Sequence, residues 1–288
     1  MSTCTLALLG CGLMGGSFAL AAQKQGLCDR VIGYSVPTAS ATHLQQLGIV
    51  HQVVDSPEAA VAQAHIVLLA APVTAISELL RRIAPVLPKH CLIMDVGSTK
   101  LSIQHAAKRY LGEHYAYFVP AHPIAGKEQA GHSDPIATLY QHKKVVLCPD
   151  THTHPKALDY ATQLWQRLGA KPVCMSAATH DRRLAAVSHL PHLIAFAYMD
   201  ALLAQTDSEE LLANGGPGFR DFSRIAGCEA SIWRDILIDN QDCIRPLLDQ
   251  VRHSLDKLES LMVQAQPQVL EATLSQASQA RINWNKDS

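Results

Sequence analysis

Gly10-Cys11-Gly12-Leu13-Met14-Gly15 follows an apolar run at residues 5–9 and leads straight into a helical pattern, FALAAQKQG. A G-x-G-x-x-G turn between a strand and a helix constrains the fold more than any other feature of the chain. The first glycine permits a tight turn, and the second lets a pyrophosphate approach the backbone. The third allows helix and strand to pack closely, while the helix N-terminus adds partial positive charge. A dinucleotide is the expected ligand of Gly10, Gly12, Leu13, Met14 and Gly15.

The rest of the first half agrees with that beginning. Further apolar runs at 31–34, 66–70, 92–96, 117–119 and 144–147 alternate with helical stretches such as TAISELLRRIAPVL and TKLSIQHAAKRYLG. Strands alternating with helices imply parallel β-α-β units with helices on both faces. The unbroken apolar character of HIVLLAA and CLIMDV suits strands buried on both sides. A last α/β unit is expected from Pro155 to a short strand at 171–175.

From Ser176 the pattern is almost wholly helical, with one glycine-rich break at 214–218. The expected fold is α/β, a Rossmann-type doubly wound and mainly parallel sheet, followed by an all-helical C-terminal domain. Residues 1–176 form the expected dinucleotide-binding domain and 177–288 the helical one. In the latter Leu247, Val251, Leu255, Leu258 and Met262 recur at three- and four-residue steps, a stripe that requires burial. A second copy of the chain is the expected partner for it, packing inside one chain being the alternative.

Composition narrows the function classes. The formal net charge is −1, which gives no footprint for nucleic acid or anionic lipid. The eight cysteines contain no CxxC pair, and several lie in apolar runs, as suits a reducing cytoplasm. No signal peptide is read at the N-terminus, and no apolar stretch is expected to reach the roughly 20 residues of a membrane span. The histidines of PDTHTHP lack a matching ligand set, so no metal site is expected.

An acid at the end of the second strand normally holds the ribose 2′-hydroxyl of NAD. Here that stretch reads GYSVPTAS, with Ser35 in the acid's place and Thr38 nearby. Neither repels a 2′-phosphate, and no arginine follows at once to pair with one. NADP is favoured over NAD, and both stay open. Ala71 and Pro72, just past the run at 66–70, complete the expected cofactor contacts.

Four later segments carry side chains suited to chemistry. FVPAHPIAGKE brings His122 to the end of an apolar run, with Glu128 beyond it. DVGSTK places Ser98 at the carboxyl end of a strand, the edge where open parallel sheets bind ligands. SHLPH sets Ser188 and His192 four apart, on one face if the helix continues through Pro191. GFRDFSRIAG offers Arg220, Asp221 and Arg224, with Trp233 in the following helix.

After GCGLMGG, the motifs DVGSTK, HPIAGKE, SHLPH and GFRDFSRIAG…IW, in that order, resemble the prephenate/arogenate dehydrogenase family of tyrosine biosynthesis. The resemblance spans essentially the whole chain and implies a monofunctional enzyme with a helical dimerisation domain. It implies oxidative decarboxylation of a cyclohexadienol, with hydride passing to the nicotinamide. His122 would take the hydroxyl proton and Ser98 would orient substrate or imidazole. Arg224 would anchor a carboxylate through two parallel hydrogen bonds. His192, Ser188 and Trp233 would lie near nicotinamide and substrate, and Asp221 would orient Arg224. Glu128 bears on substrate choice, since an acid there suits the ammonium of arogenate, which prephenate replaces with a keto group. Pro217, inserted into GGPGF, departs from the family's glycine-rich pattern.

Two other readings compete. A β-hydroxyacid dehydrogenase shares the sheet-then-helix order but requires a catalytic lysine that ASIWRDILIDNQD lacks. A nucleotide-sensing module without chemistry leaves the joint presence of His122, Ser98 and Arg224 unaccounted for.

Overall fold

The computed structural model describes residues 4–125 and 134–286. Six strands, β1 (Thr5–Leu9), β2 (Arg30–Tyr34), β3 (Gln52–Val53), β4 (Ile66–Leu69), β5 (Leu92–Asp95) and β6 (Phe118–Val119), form a wholly parallel sheet. Their order is β3-β2-β1-β4-β5-β6, which reverses direction at β1. A smaller sheet holds β7 (Ala121–Pro123), β8 (Lys144–Leu147) and β9 (Lys171–Cys174), with β7 antiparallel to β8 and β9 parallel to it.

Period-two alternation divides the central strand between two cores. Leu6 and Leu8 of β1 enter one hydrophobic cluster, while Ala7 and Leu9 enter the other. Helices α1 (Leu13–Lys24), α2 (Ala39–Gln46), α3 (Pro57–Val61), α4 (Val73–Ile83), α5 (Leu101–Tyr110) and α6 (Pro155–Arg167) cover the two faces. Phe18 of α1 and Tyr140 both meet Trp165 of α6 edge-on, at 5.1 Å between ring centroids. On the opposite face α4 buries Ile76, Leu79, Leu80 and Ile83, one helical stripe. Burying each such side chain stabilises the fold by about 1.5–3 kcal/mol.

The apolar run before His122 is not one strand. It changes sheets at Pro120, so that β6 closes the parallel sheet while β7 joins β8, with His122 opposite Val146. Proline supplies no ladder N–H, which explains the break. The two-residue strand β3 has no periodic signal of its own and was not expected.

Beyond β9 lie α7 (Ala177–Leu184), α8 (Leu190–Leu203), α9 (Ser208–Ala213), α10 (Pro217–Ser223) and α11 (Ala230–Asp239). Ser176 caps α7 by accepting a hydrogen bond from the Thr179 amide. A π-helical turn, Ala185–His189, joins α7 to α8, and Pro191 sits in the first turn of α8. The helix therefore does continue through SHLPH. Pro217 takes the first position of α10, where a missing N–H costs nothing.

The continuous helical run Ala177–Leu203 contains an 18-residue window of mean hydropathy 1.2, which is long and apolar enough by length and composition to cross a membrane. This corrects the expectation that no stretch reaches that length: Ser188, His189 and His192 interrupt the apolar letters without interrupting the helix. Those same positions make polar contacts inside the protein, as described below.

The chain divides into a compact unit ending at Gln241 and a second unit from Asp242 onward. The second consists of α12 (Gln241–Val263) and α13 (Pro267–Lys286). Its expected stripe is only partly buried within the chain: Leu247, Val251 and Leu258 are half-buried, while Leu255 is 60% and Met262 66% exposed.

Candidate active site

Every expected cofactor residue stands at the carboxyl end of a parallel strand. Gly10 has φ +105°, and a Cβ there would lie 2.3 Å from the carbonyl oxygen of Ala70, so only glycine fits. A Cβ on Gly15 would lie 2.4 Å from the Gly10 oxygen, which accounts for the close packing of α1. A Cβ on Gly12, by contrast, would meet nothing within 4 Å. That open space faces the first turn of α1, where no side chain caps the N-terminus and no acid stands. Free amides of Leu13 and Met14 beside an open glycine form a cradle that fits a pyrophosphate.

Ser35, 8% exposed, directly follows β2, and Thr38 is exposed at the start of α2. Arg30 donates to Gln52 at the other end of β2. Ala71 and Pro72 follow β4, with Pro72 capping α4.

Asp95, the last residue of β5, ties together the loop holding Ser98 and the strand holding His122. One carboxylate oxygen accepts from the Gly97 amide at 2.8 Å, and the other from the Ala121 amide at 3.3 Å. Lys100 pairs with the same carboxylate, both side chains having no exposure. Burial pushes the Asp95 carboxyl up, against the opposing pull of Lys100 and these amides.

Asp181 of α7 closes the arrangement from the other side. Its oxygens accept from the backbone amides of Lys100 and Leu101, both at 2.8 Å, and so cap α5 from 80 residues away. His180 Nδ1 lies 2.7 Å from Asp181 Oδ1, and His180 Nε2 lies 2.8 Å from His122 Nδ1. Burial holds the His122 pKa well below its ordinary value, and the charges of His180, Lys100 and His189 add to this. The imidazole is therefore neutral near pH 7, with a lone pair free on one nitrogen. Asp181 is held low: burial raises it, but His180 and the two amides outweigh burial.

Asn240 carries the network onward. Its amide donates to the Asp181 carbonyl at 2.9 Å and meets His189 Nδ1 at 3.0 Å. His189 is 1% exposed, and burial pushes its pKa down to about 4. It packs edge-on against Trp233 with centroids 6.2 Å apart. Trp233 in turn stacks on His192, 3.5 Å between centroids and 16° between planes. His192 Nδ1 donates to the Ser188 carbonyl at 2.8 Å, which leaves Nε2 available. Burial lowers the His192 pKa, and the nearby positive charge of Arg224 lowers it further.

The structure thus joins His122 to Trp233 and His192 through one run of contacts by way of His180, Asp181, Asn240 and His189, and Arg224 is near enough for its charge to lower the His192 pKa. Trp233 is positioned because α11 is tied to the sheet unit by Thr74–Asp235 and Ser102–Asp239 hydrogen bonds of 2.8 and 2.7 Å. Arg224 follows α10, which packs on α8 through Phe222 and Tyr198, 5.3 Å between ring centroids. Asp221 and Arg220 are exposed on α10, and Ser188 is half-buried in the π-helical turn. Glu128 and Lys127 lie outside the described residues.

Asp95, Lys100, His180, Asp181 and Asn240 were not singled out from sequence. A carboxylate closing a strand and a lysine five residues on were visible in DVGSTK, but their pairing was not. Nothing local marks His180–Asp181 in AATHDRRL, which reads as an ordinary polar helix start.

A doubly wound sheet with an open glycine turn, beside a half-buried neutral imidazole at the same edge, defines a nicotinamide-dinucleotide-dependent dehydrogenase. The comparisons with known proteins specify which. Residues 18–174 match the model of the prephenate dehydrogenase nucleotide-binding domain, and 176–276 that of the prephenate dehydrogenase dimerization domain. A cyclohexadienyl dehydrogenase of Zymomonas mobilis is 31% identical, over 98% of this chain and 96% of its own length. The solved prephenate dehydrogenase of Aquifex aeolicus, in complex with hydroxyphenyl propionate and NAD+, superposes with a TM-score of 0.90. It is 31% identical over 98% of this chain and 99% of its own. A Synechocystis arogenate dehydrogenase gives 0.79 at 26% identity, over 97% of this chain and 99% of its own. The chain belongs to the prephenate dehydrogenase family, and it is an NAD(P)-dependent oxidoreductase.

Proposed function

We propose that the chain catalyses oxidative decarboxylation of prephenate or arogenate, giving 4-hydroxyphenylpyruvate or tyrosine. The observation that carries this reading is the half-buried His122, its pKa held low, beside the carboxyl end of β5 and connected through His180, Asp181, Asn240, His189 and Trp233 to His192, which feels the charge of Arg224. Bound NAD(P)+ supplies the hydride acceptor. Gly10, Gly12, Leu13, Met14 and Gly15 hold its pyrophosphate, with Ser35, Thr38, Ala71 and Pro72 lining the remainder.

His122 takes the ring hydroxyl proton on Nε2 as hydride leaves the same carbon, and loss of CO₂ then makes the ring aromatic. Ser98, tied to the His122 strand through Asp95, orients that hydroxyl. Arg224 anchors a carboxylate of the substrate with its planar guanidinium. His192 and Trp233 form a stacked wall, with Ser188 and Asp221 beside it and Glu128 as the candidate partner of an arogenate ammonium. NADP is favoured over NAD because 34–38 contains no acid to repel a 2′-phosphate.

Residues 1–176 are read as the cofactor domain and 177–288 as the substrate and dimerisation domain, working as a homodimer. Support for the homodimer comes from the half-exposed apolar stripe of α12 and from the dimerization-domain match. A cytoplasmic setting fits the eight free cysteines.

Absorbance of reduced nicotinamide, measured with prephenate and arogenate against each cofactor, tests the reading. Turnover of at least one substrate is expected, faster with NADP+; inactivity with both substrates would overturn it.

A further inference from the structure

Two imidazoles in contact raise the question of which nitrogen of each carries a proton. Asp181 is anchored by two backbone amides and held ionised, so each of its oxygens only accepts. His180 Nδ1, 2.7 Å away, must then be the donor. In a neutral His180 that leaves Nε2 as an acceptor facing His122 Nδ1 at 2.8 Å. His122 Nδ1 must carry the proton in turn, and its lone pair lies on Nε2.

We propose that His180 and Asp181 are positioning residues that fix His122 in the tautomer able to act as a base. They also stabilise the imidazolium that forms when it does so. This deepens the proposed function and rests on it. In the step, the substrate O–H bond breaks, an Nε2–H bond forms on His122, and the hydride passes to the nicotinamide. The Nδ1 proton of His122 stays on its hydrogen bond to His180, and Asp181 remains ionised. A carboxylate behind an imidazole behaves in this way in hydrolytic triads, where removing its charge leaves the wrong tautomer. Here a second imidazole lengthens the connection.

The geometry requires this relay for a reason beyond orientation. The His122 environment contains His180, His189 and Lys100, all potential cations, with burial added. Without the charge of Asp181 nothing in that direction favours an imidazolium, and a base that cannot hold its proton is ineffective. The paired charge of Asp95 is already committed to Lys100.

The test uses three variants of His180 and Asp181 in the full-length protein, with His122→Asn as the assignment control, read by ring spectra, kinetics and thermal melts. Nitrogen-15 spectra of the histidine rings, with His122 assigned by difference from His122→Asn, should show the Nδ1–H tautomer in the wild type at neutral pH. In His180→Leu the His122 ring should go over to Nε2–H. Turnover of His180→Leu should fall roughly 100-fold, with KM for substrate and cofactor unchanged. His180→Gln, whose amide both accepts from His122 and donates to Asp181, should keep the Nδ1–H tautomer and recover much of the rate. Asp181→Asn should lose turnover with a displaced acid limb in its pH profile.

An Nε2–H tautomer in wild-type His122 overturns the proposal. So does an unchanged His122 tautomer in His180→Leu, or a loss of rate that merely follows lost thermal stability in all three variants. The ring spectra need no substrate. If the wild type turned over neither prephenate nor arogenate, the functional reading would fail while the tautomers still decided the relay.

Discussion

Lys100 and Asp95 form an ion pair in which neither side chain touches solvent, and the two residues flank the loop that carries Ser98. Such a pair is worth little compared with apolar residues, but removing one partner strands the other charge. Lys100→Met should destabilise the protein by about 3–5 kcal/mol. The double variant Asp95→Leu/Lys100→Met should recover part of that loss. Denaturant unfolding of the three proteins checks this, and an unperturbed Lys100→Met would show that the pair is not buried as described.

The glycine turn separates folding from ligand binding. Gly10→Ala meets the Ala70 carbonyl at 2.3 Å and should unfold or strongly destabilise the protein. Gly12→Ala meets nothing in the protein itself and should melt like the wild type, yet bind NAD+ and NADP+ more weakly. Thermal melts and calorimetric titration distinguish the two. Unaltered cofactor affinity in Gly12→Ala would contradict the pyrophosphate assignment.

Acid stability should follow the buried histidines. His189 titrates near 4 in the folded protein and near 6.5 when unfolded. Between those values the unfolded chain holds more protons, so stability rises with pH and is lost as pH falls through the window. His122, also depressed, acts in the same direction. The stability from the lowered carboxylates Asp181 and Asp150 is fully present above about 4 and is lost only as pH falls below that range. Melting temperature should therefore drop as pH is lowered from about 6.5 toward 4, less steeply in His189→Asn. A flat wild-type profile would count against the depressed pKa of both rings.

The apolar side chains of α12 and α13 require a partner. Leu255, Met262, Val269 and Leu274 are each about half exposed or more. Leu255→Glu/Met262→Glu should shift sedimentation from dimer toward monomer while leaving each chain folded. A wild type that sediments as a monomer would refute the homodimer.

Periodicity made the sheet legible because β1, β4 and β5 are buried on both faces and read as unbroken apolar runs. The sheet change at Pro120 was not legible, since strands of two and three residues on either side of a proline carry no register of their own. The helix through Pro191 was readable only as an alternative, because the π-helical turn that accommodates it has no sequence signature here. His122, Ser98, His192, Trp233 and Arg224 stood out through ordered motifs. His180, Asp181 and Asn240 did not, because each matters through a partner between 51 and 81 residues distant. Such pairings are properties of the packed fold.

The account depends on His122 as the base. Turnover of His122→Asn, with cofactor affinity measured on the same preparation, tests it most directly. The expected result is a loss of roughly 100- to 10,000-fold in kcat with NAD(P)+ binding unchanged. Turnover within a few-fold of the wild type would contradict it.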